Sequence, residues 1–179
     1  DNTTATLEEI NASKIVKFAA ASEVDNKLLI KIAGFADDLV PITGNNLDNF
    51  ITYMNRIKDA GVVLEIISLE AEKLKLTIDV YVDTLVINLD GTRVDGTAVA
   101  PVKDAINQYL QSINFSDTLI LAHLTDHLQL VDGVKIPHIV SSAYKYADVE
   151  WQSFQVKHTP LSGYIRIEPS DLTINYIPH

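Results

Sequence analysis

The chain has 179 residues, of which 47% are hydrophobic and 21% are charged, which is the balance of an ordinary globular protein. Its formal net charge of −10 repels phosphate backbones, so we expect no nucleic-acid partner. No cysteine is present, which excludes disulfides and cysteine-ligated zinc sites. No apolar run approaches the roughly 20 residues that span a bilayer, so we expect no membrane partner either.

The first part of the chain predicts a polar tail and then a β-hairpin. Residues 1–9 are mostly polar. Residues 14–18 and 27–32 are strand-like, and Asp25-Asn26 between them are typical turn residues. Residues 34–46 contain two glycines, a proline and pairs of Asp and Asn, which predicts a loop.

A helix is predicted next. Its apolar residues recur with the 3.6-residue helical period, with Asn45 or Asn46 as the N-cap and Gly61 as the terminating residue. The apolar positions are Leu47, Phe50, Ile51, Met54 and Ile57.

Two strands follow the helix in the prediction. Residues 62–69 are mostly apolar, and residues 73–83 alternate strictly between apolar and polar side chains from Leu74 to Val82. The short polar break Glu70-Ala71-Glu72 predicts that these two strands form a hairpin.

The second half of the chain predicts two helices and then a β-rich end. Pro101 suits the first position of a helix whose apolar stripe runs from Val102 to Ile113. A third helix is predicted over residues 121–131. Strands are predicted over residues 136–146 and 150–157, and a hairpin over residues 164–168 and 172–176 around residues 169–171.

These elements predict an α+β fold in which antiparallel sheets carry about three helices. We place a boundary in the polar break, which gives two closely joined subdomains. Residues 1–72 form an N-terminal ββαβ subdomain with a polar tail, and residues 73–179 form a C-terminal α+β subdomain ending in a β-hairpin.

His123 and His127 are the strongest candidates for metal ligands, since residues four apart lie on one face of a helix. A zinc peptidase also needs a glutamate base, for which Asp126 is a poor substitute. The third ligand would have to come from His138, Glu150 or His158. The histidines also fit as ordinary polar residues beside the apolar stripe of Ile120, Leu124, Leu128 and Val131, and this interpretation is favoured. We therefore predict no metal site.

Paired carboxylates can hold magnesium for nucleotidyl transfer, and Asp79, Asp83 and Asp90 are the candidates. The Gly-Ser loop and the Asp-x-Asp pair of that chemistry are missing, and Asp79 is the polar side of a clean alternation. The glycines do not form a phosphate-binding pattern, and Ser162-Gly163 lacks the surrounding G-x-S-x-G of a nucleophile elbow. We predict no catalytic residue, no cofactor and no small-molecule substrate.

Four aromatic residues of the β-rich end are the candidate interface. Aromatic side chains on strands are most often core residues or cross-strand pairs, but such a cluster also suits a protein interface or a carbohydrate platform. The candidates are Tyr144, Tyr146, Trp151 and Phe154.

A series of degenerate motifs runs from residue 28 to residue 176. Residues 39–43 precede a helix and match the pattern L-x-P-L-S/T loosely, Tyr53 lies within that helix, and Ala60-Gly61-Val62 leads into a strand. The long alternating strand comes next, followed by V-x-x-A-I-x-x-Y-L at residues 102–110 and then by Phe115. The segment 124–131 closes on Asp132-Gly133-Val134, and Ser162-Gly163-Tyr164 precedes the last strands.

In this order, the motifs resemble those of the baseplate J-like proteins, wedge components of contractile phage tails and related injection machines. The resemblance implies a structural role without catalytic residues, in a virion or phage-like particle assembled in the bacterial cytoplasm. It implies contacts with other copies of the chain and with neighbouring tail or baseplate proteins. The family's larger N-terminal portion has no counterpart here, so under this resemblance the chain is a fragment. The alternatives are a metal-dependent hydrolase or nucleotidyltransferase-type enzyme, and a carbohydrate- or surface-binding module.

Overall fold

The computed structural model describes Thr6, Glu8 and residues 14–36 and 38–179. Most of the predicted polar tail, and Asp37 of the predicted loop, lie outside these described residues. The chain divides into two compact units, Asp1–Ala71 and Glu72–His179. The boundary predicted from the sequence lies one residue further along, between residues 72 and 73.

The first unit is built on a hairpin. Its two strands are joined by Asp25 and Asn26, whose φ angles of 50° and 60° are those of a tight turn that favours Asp and Asn. The hairpin prediction is therefore confirmed, although the first strand begins at Phe18, where its prediction ended. The elements of this unit are β1 (Phe18–Val24), β2 (Lys27–Phe35), β3 (Leu39–Val40), α1 (Asn45–Ile57) and β4 (Leu64–Ile67).

Helix α1 packs its apolar side on this sheet. Leu47, Phe50 and Met54 pack against a buried cluster formed by Ile30 and Ile32 of β2 and by Ile42. The N-cap, however, is Gly44, and no side chain caps the helix. The Gly44 carbonyl instead accepts hydrogen bonds from the backbone N–H groups of the first turn. The helix ends at Ile57, before the predicted stop at Gly61.

Strand β4 corrects the prediction of a hairpin with the next strand. It lies parallel to β2, with Leu28 opposite Leu64 and Lys31 opposite Ile67. Parallel strands need a long crossover, and α1 provides it. Helix α1 buries its apolar side by lying on the sheet. The chain therefore re-enters the same sheet after the helix, and β4 runs parallel to β2.

The second unit has β5 at the centre of its main sheet, where β10 is a parallel neighbour and β7 an antiparallel one. The predicted alternation of β5 is confirmed, because its side chains from Leu74 to Val82 are alternately fully buried and more exposed. The elements are β5 (Glu72–Val82), α2 (Pro101–Ser112), β6 (Leu119–Ile120), α3 (Leu121–Gln129), β7 (Val134–Lys145), β8 (Gln152–Ser153), β9 (Lys157–His158) and β10 (Ile165–Pro178).

The two helices of this unit complete its core. Pro101 is the first residue of α2, as predicted. The helix buries its own side chains Val102, Ile106 and Tyr109 in the core. Helix α3 buries Leu121, Leu124 and Leu128. Both helices were predicted, and the α+β fold class is confirmed.

The predicted C-terminal hairpin is wrong. Residues 165–178 form one strand that runs parallel to β5, with a register irregularity between Ile167 and Leu172. The turn-like residues 169–171 occupy this irregularity, and the strand continues after it. Pairing along nearly all of β5 packs Ile167, Leu172 and Ile174 against the core, which a local hairpin would not do. The strand predicted over residues 150–157 is also reduced to the short strands β8 and β9.

Candidate functional site

The four candidate aromatic residues lie on β7 and on the segment after it, and each of them is partly buried. The structure brings two of them together. The ring centroids of Tyr144 and Phe154 are 6.1 Å apart, and the rings are tilted by 59°. Phe154 is held opposite Ser142, because its N–H donates to the Ser142 carbonyl at 3.1 Å and its carbonyl accepts from the Ser142 hydroxyl.

A histidine completes this cluster. The His158 ring stacks on Tyr144 with a centroid distance of 3.6 Å and an angle of 17°, and it lies 5.6 Å from Phe154. The Tyr144 hydroxyl donates to the Gln152 amide oxygen at 2.6 Å, across the β7–β8 pair. Tyr144, Phe154 and His158 are therefore a packed cross-strand group, and we call them the aromatic cluster.

The aromatic cluster sits on a buried carboxylate. Glu72, whose side chain is only 2% exposed, lies 2.6 Å from His158 Nε2, and its other oxygen accepts from the Leu161 N–H at 2.5 Å. A buried carboxylate is stable only when its oxygens are hydrogen bonded, and both oxygens are bonded here. The His158–Glu72 pair thus links the start of β5 to β9. Because the pair uses Nε2 and both carboxylate oxygens, we interpret it as a structural link.

Sequence reasoning missed the role of Glu72. The residue lies in a short polar stretch, which from the sequence predicts only a break between two strands. Its partner is 86 residues further along the chain. No local pattern distinguishes Glu72 from the neighbouring Glu70, so only the folded chain identifies it.

The other two aromatic candidates lie apart from the cluster. The Lys75 ammonium lies 5.7 Å from the centroid of the Trp151 ring, a distance typical of a cation–π contact. The Tyr146 carbonyl accepts from the Val149 N–H at 3.1 Å in a turn. Within residues 38–179, neither ring stacks on another aromatic side chain.

The histidines of α3 point to different surroundings. His123 is exposed, whereas His127 is partly buried and its ring lies 5.8 Å from that of Tyr109. The described residues contain no group of three or more His, Cys, Asp or Glu side chains that could hold a metal ion.

Each of the carboxylates considered for magnesium has its own polar or charged partner. Asp79 accepts from the Asn175 amide at 2.7 Å, and Asp83 lies 3.6 Å from the Lys135 ammonium. Asp90 accepts from both the N–H and the hydroxyl of Thr92, at 2.9 and 2.7 Å.

A second candidate surface lies in the connection between β5 and α2. Two apolar side chains of this connection are mostly exposed, Leu85 (83%) and Val99 (80%), and so is Leu130 (80%), the first residue after α3. Val94, in the same connection, is 52% exposed. We call these four residues the loop surface. Large apolar residues exposed together are typical of a site that another molecule covers.

Backbone bonds and an ion-paired arginine link the segments that carry the four residues of the loop surface. Arg93 lies 3.1 Å from Asp95 and 3.0 Å from Asp132, so the connection is tied to the segment that follows Leu130. The Arg93 N–H also donates to the Ala98 carbonyl, next to Val99. The Val94 N–H donates to the Val86 carbonyl, next to Leu85.

Hydrogen bonds, ion pairs and close packing stabilise this connection. Hydrogen bonds from Arg93 and then from Thr97 hold the pKa of the Asp95 carboxyl well below its ordinary value. The same carboxylate raises the pKa of Arg93. Gly133, at a φ of 89°, leaves no room for a side chain, since a Cβ there would lie 2.7 Å from Val86. The loop surface is therefore presented on an ordered frame.

No protein-family model matches the chain, and no curated protein matches it. None of the described helices is long and apolar enough to cross a membrane.

Proposed function

We propose that this chain is a structural component of a phage or phage-like tail baseplate, and that it acts through protein–protein assembly. The observation that carries the proposal is the loop surface. Its most exposed members, Leu85, Val99 and Leu130, have at least 80% of their surface in contact with solvent in the isolated chain. Covering such side chains is favourable by about 25 cal/mol per Å² of apolar area.

The ordered frame beneath the loop surface supports the same role. Association costs free energy when loops and side chains must be immobilised, and that cost is smaller when they are already fixed. The bonds from Arg93 to Asp95 and Asp132 restrain the loop in the isolated chain. The motifs that resemble baseplate J-like proteins suggest which partners these are: other copies of the chain and neighbouring tail proteins.

Particle incorporation tests the proposal. A tagged version of the whole protein, expressed in the organism that encodes it, should sediment with tail-like particles. Replacing Leu85, Val99 and Leu130 together by Ser should reduce the incorporated fraction several-fold while the far-UV circular dichroism spectrum stays unchanged. The matched control replaces two other exposed apolar residues by Ser, Ile57 (55%) and Val63 (52%), which lie in the first unit.

Two results would count against the proposal in different ways. Normal incorporation of the triple variant would show that the loop surface is not the assembly interface. A wild-type protein that never sediments with any particle would refute the baseplate role itself.

A further inference from the structure

One edge of the second unit's sheet is left without a partner strand. Strand β7 pairs with β5 along its length, but on its other side β8 pairs only with Ala143 and Tyr144. One more bond, from the Phe154 N–H to the Ser142 carbonyl, ends this contact. Within the described part of the chain, residues 135–141 of β7 form no backbone hydrogen bond except those to β5.

The chain leaves β7 at this point and crosses to α3. The Val156 carbonyl accepts from the Leu121 N–H at 3.0 Å, and β9 then pairs with β6. The departure opens a groove of about 590 Å³ between the free edge of β7 and the first half of α3. The groove is lined by Ala122 and Thr125 on α3, by residues 137–142 on β7, and by residues 153–155, where the chain leaves β7.

The groove is uncharged, although the chain as a whole carries a net charge of −10. No Lys, Arg, Asp or Glu lines it, and His138 is its single titratable residue. A charged segment would lose hydration in such a groove without gaining an opposite charge. An uncharged segment loses little, and its backbone can bond to the free edge.

We propose that this groove binds an extended, uncharged peptide segment of a partner protein, which adds to β7 as a new antiparallel strand. The peptide continues along the line of β8, and alternate side chains contact Ala122 and Thr125. Unpaired strand edges bind extended peptides in this way, with backbone bonds giving affinity and pockets giving specificity. The inference goes beyond the assembly role proposed above, because it needs no particle and does not use the loop surface.

Size and edge chemistry favour a peptide over a second copy of the chain. A stable interface between folded proteins needs about 800 Å² from each partner, whereas a groove of this volume is in the range of ligand-sized sites. Pro137 has no N–H to donate, and Val140 is an extra residue where the β5–β7 register shifts. Prolines and bulges are features that hinder long edge-to-edge pairing between copies. A short peptide beside residues 138–141 avoids the proline and has to accommodate only the one extra residue at Val140.

The test uses the full chain, labelled with ¹⁵N, and a short synthetic peptide of alternating Thr and Val. Amide signals of residues 135, 136 and 138–142 should shift as the peptide is added, and fluorescence anisotropy of a labelled peptide should give a saturable curve. The same peptide with alternate backbone nitrogens methylated should bind at least about tenfold more weakly, because it has lost the donors for the edge.

Two variants of α3 locate the site. Ala122→Arg should fill the groove and weaken peptide binding by about tenfold or more. Gln129→Arg adds the same side chain to the same helix outside the groove, and it should leave the affinity unchanged. Both residues are exposed, so both variants should keep the wild-type circular dichroism spectrum.

Each other outcome overturns the inference. Absence of peptide-induced shifts, or shifts confined to other surfaces, would show that the edge is not a binding site. Equal binding by the methylated peptide would exclude strand addition. Concentration-dependent shifts of β7 amides in the chain alone, together with dimers in sedimentation, would mean that a second copy is the occupant.

Discussion

The buried His158–Glu72 pair yields the most specific stability prediction. Replacing His158 by Ala removes the partner of one carboxylate oxygen and the ring that stacks on Tyr144. Glu72 stays in place, because its other oxygen still accepts from the Leu161 N–H. In the variant, the nearly inaccessible side chain of Glu72 therefore keeps only one of its two hydrogen-bond partners.

The expected loss of stability is about 3 kcal/mol. Leaving a buried hydrogen-bonding group without its partner costs about 1–3 kcal/mol, and more when the group is charged, and loss of an aromatic stack adds about 0.5–1.5 kcal/mol. The bond to the Leu161 N–H remains, which keeps the expected loss near the middle of this range. With a urea dependence of about 2 kcal/mol per molar for a unit of this size, the midpoint should fall by about 1.5 M.

Urea unfolding followed by tryptophan fluorescence measures this effect. Trp151 is the single tryptophan of the chain and lies in the same unit as the pair. The control is Lys135→Ala, which removes one partner of the more exposed pair with Asp83 and should cost no more than about 1 kcal/mol. In a Glu72→Gln background, His158→Ala should be less damaging by about 1 kcal/mol or more, because the Glu72 substitution has already weakened the contact that His158→Ala removes. If His158→Ala matched the control, or if its cost were the same in both backgrounds, the pair would not hold this unit together.

Three further predictions concern the loop surface and the aromatic residues. Gly133→Ala should lower the free energy of unfolding by about 3 kcal/mol in the same urea assay, because alanine rarely adopts this positive φ and its Cβ would collide with Val86. The control Gly96→Ala has a positive φ but open space around it, so it should cost only about 1 kcal/mol. Trp151→Ala combined with Tyr146→Ala should leave the circular dichroism spectrum nearly unchanged and reduce incorporation into particles; an unfolded double variant would show that these rings are core. The Asp95 carboxyl should remain ionised below its ordinary pKa of 3.8 in an NMR titration. Because the folded-state pKa is the lower one, its stabilising contribution is complete above about pH 4 and is lost as the pH falls further; an ordinary titration would contradict the Arg93 contact.

The spacing of residues within a short segment was sufficient to predict an element wherever the segment's own residues determine its conformation. Strict alternation from Leu74 to Val82 identified β5 and its buried side, because side chains two apart on a strand share a face. Helical spacing and Pro101 identified α2. Asp25 and Asn26 identified the first turn, since these residue types tolerate positive φ.

The tertiary structure alone decided which strands pair. Backbone N–H and C=O groups are the same in every strand, so the sequence of β4 does not say that its partner is β2 and not β5. Residues 169–171 have turn chemistry, yet the chain continues as one strand because pairing along β5 buries more apolar surface than a local hairpin would. The aromatic candidates show the same limit, since Tyr144 and Phe154 meet whereas Trp151 lies against Lys75.

The candidate sites depend on contacts between residues that are distant in the sequence. Glu72 meets His158 across 86 positions, and Arg93 meets Asp132 across 39. The free edge of β7 exists because the chain turns away at Phe154 to reach α3. The sequence by itself determined the class of the fold and most of its helices and strands, because these follow from periodicity within short segments. Only the folded chain determined the strand partners, the buried carboxylate and the exposed surfaces, because each of these depends on which distant segments share one core.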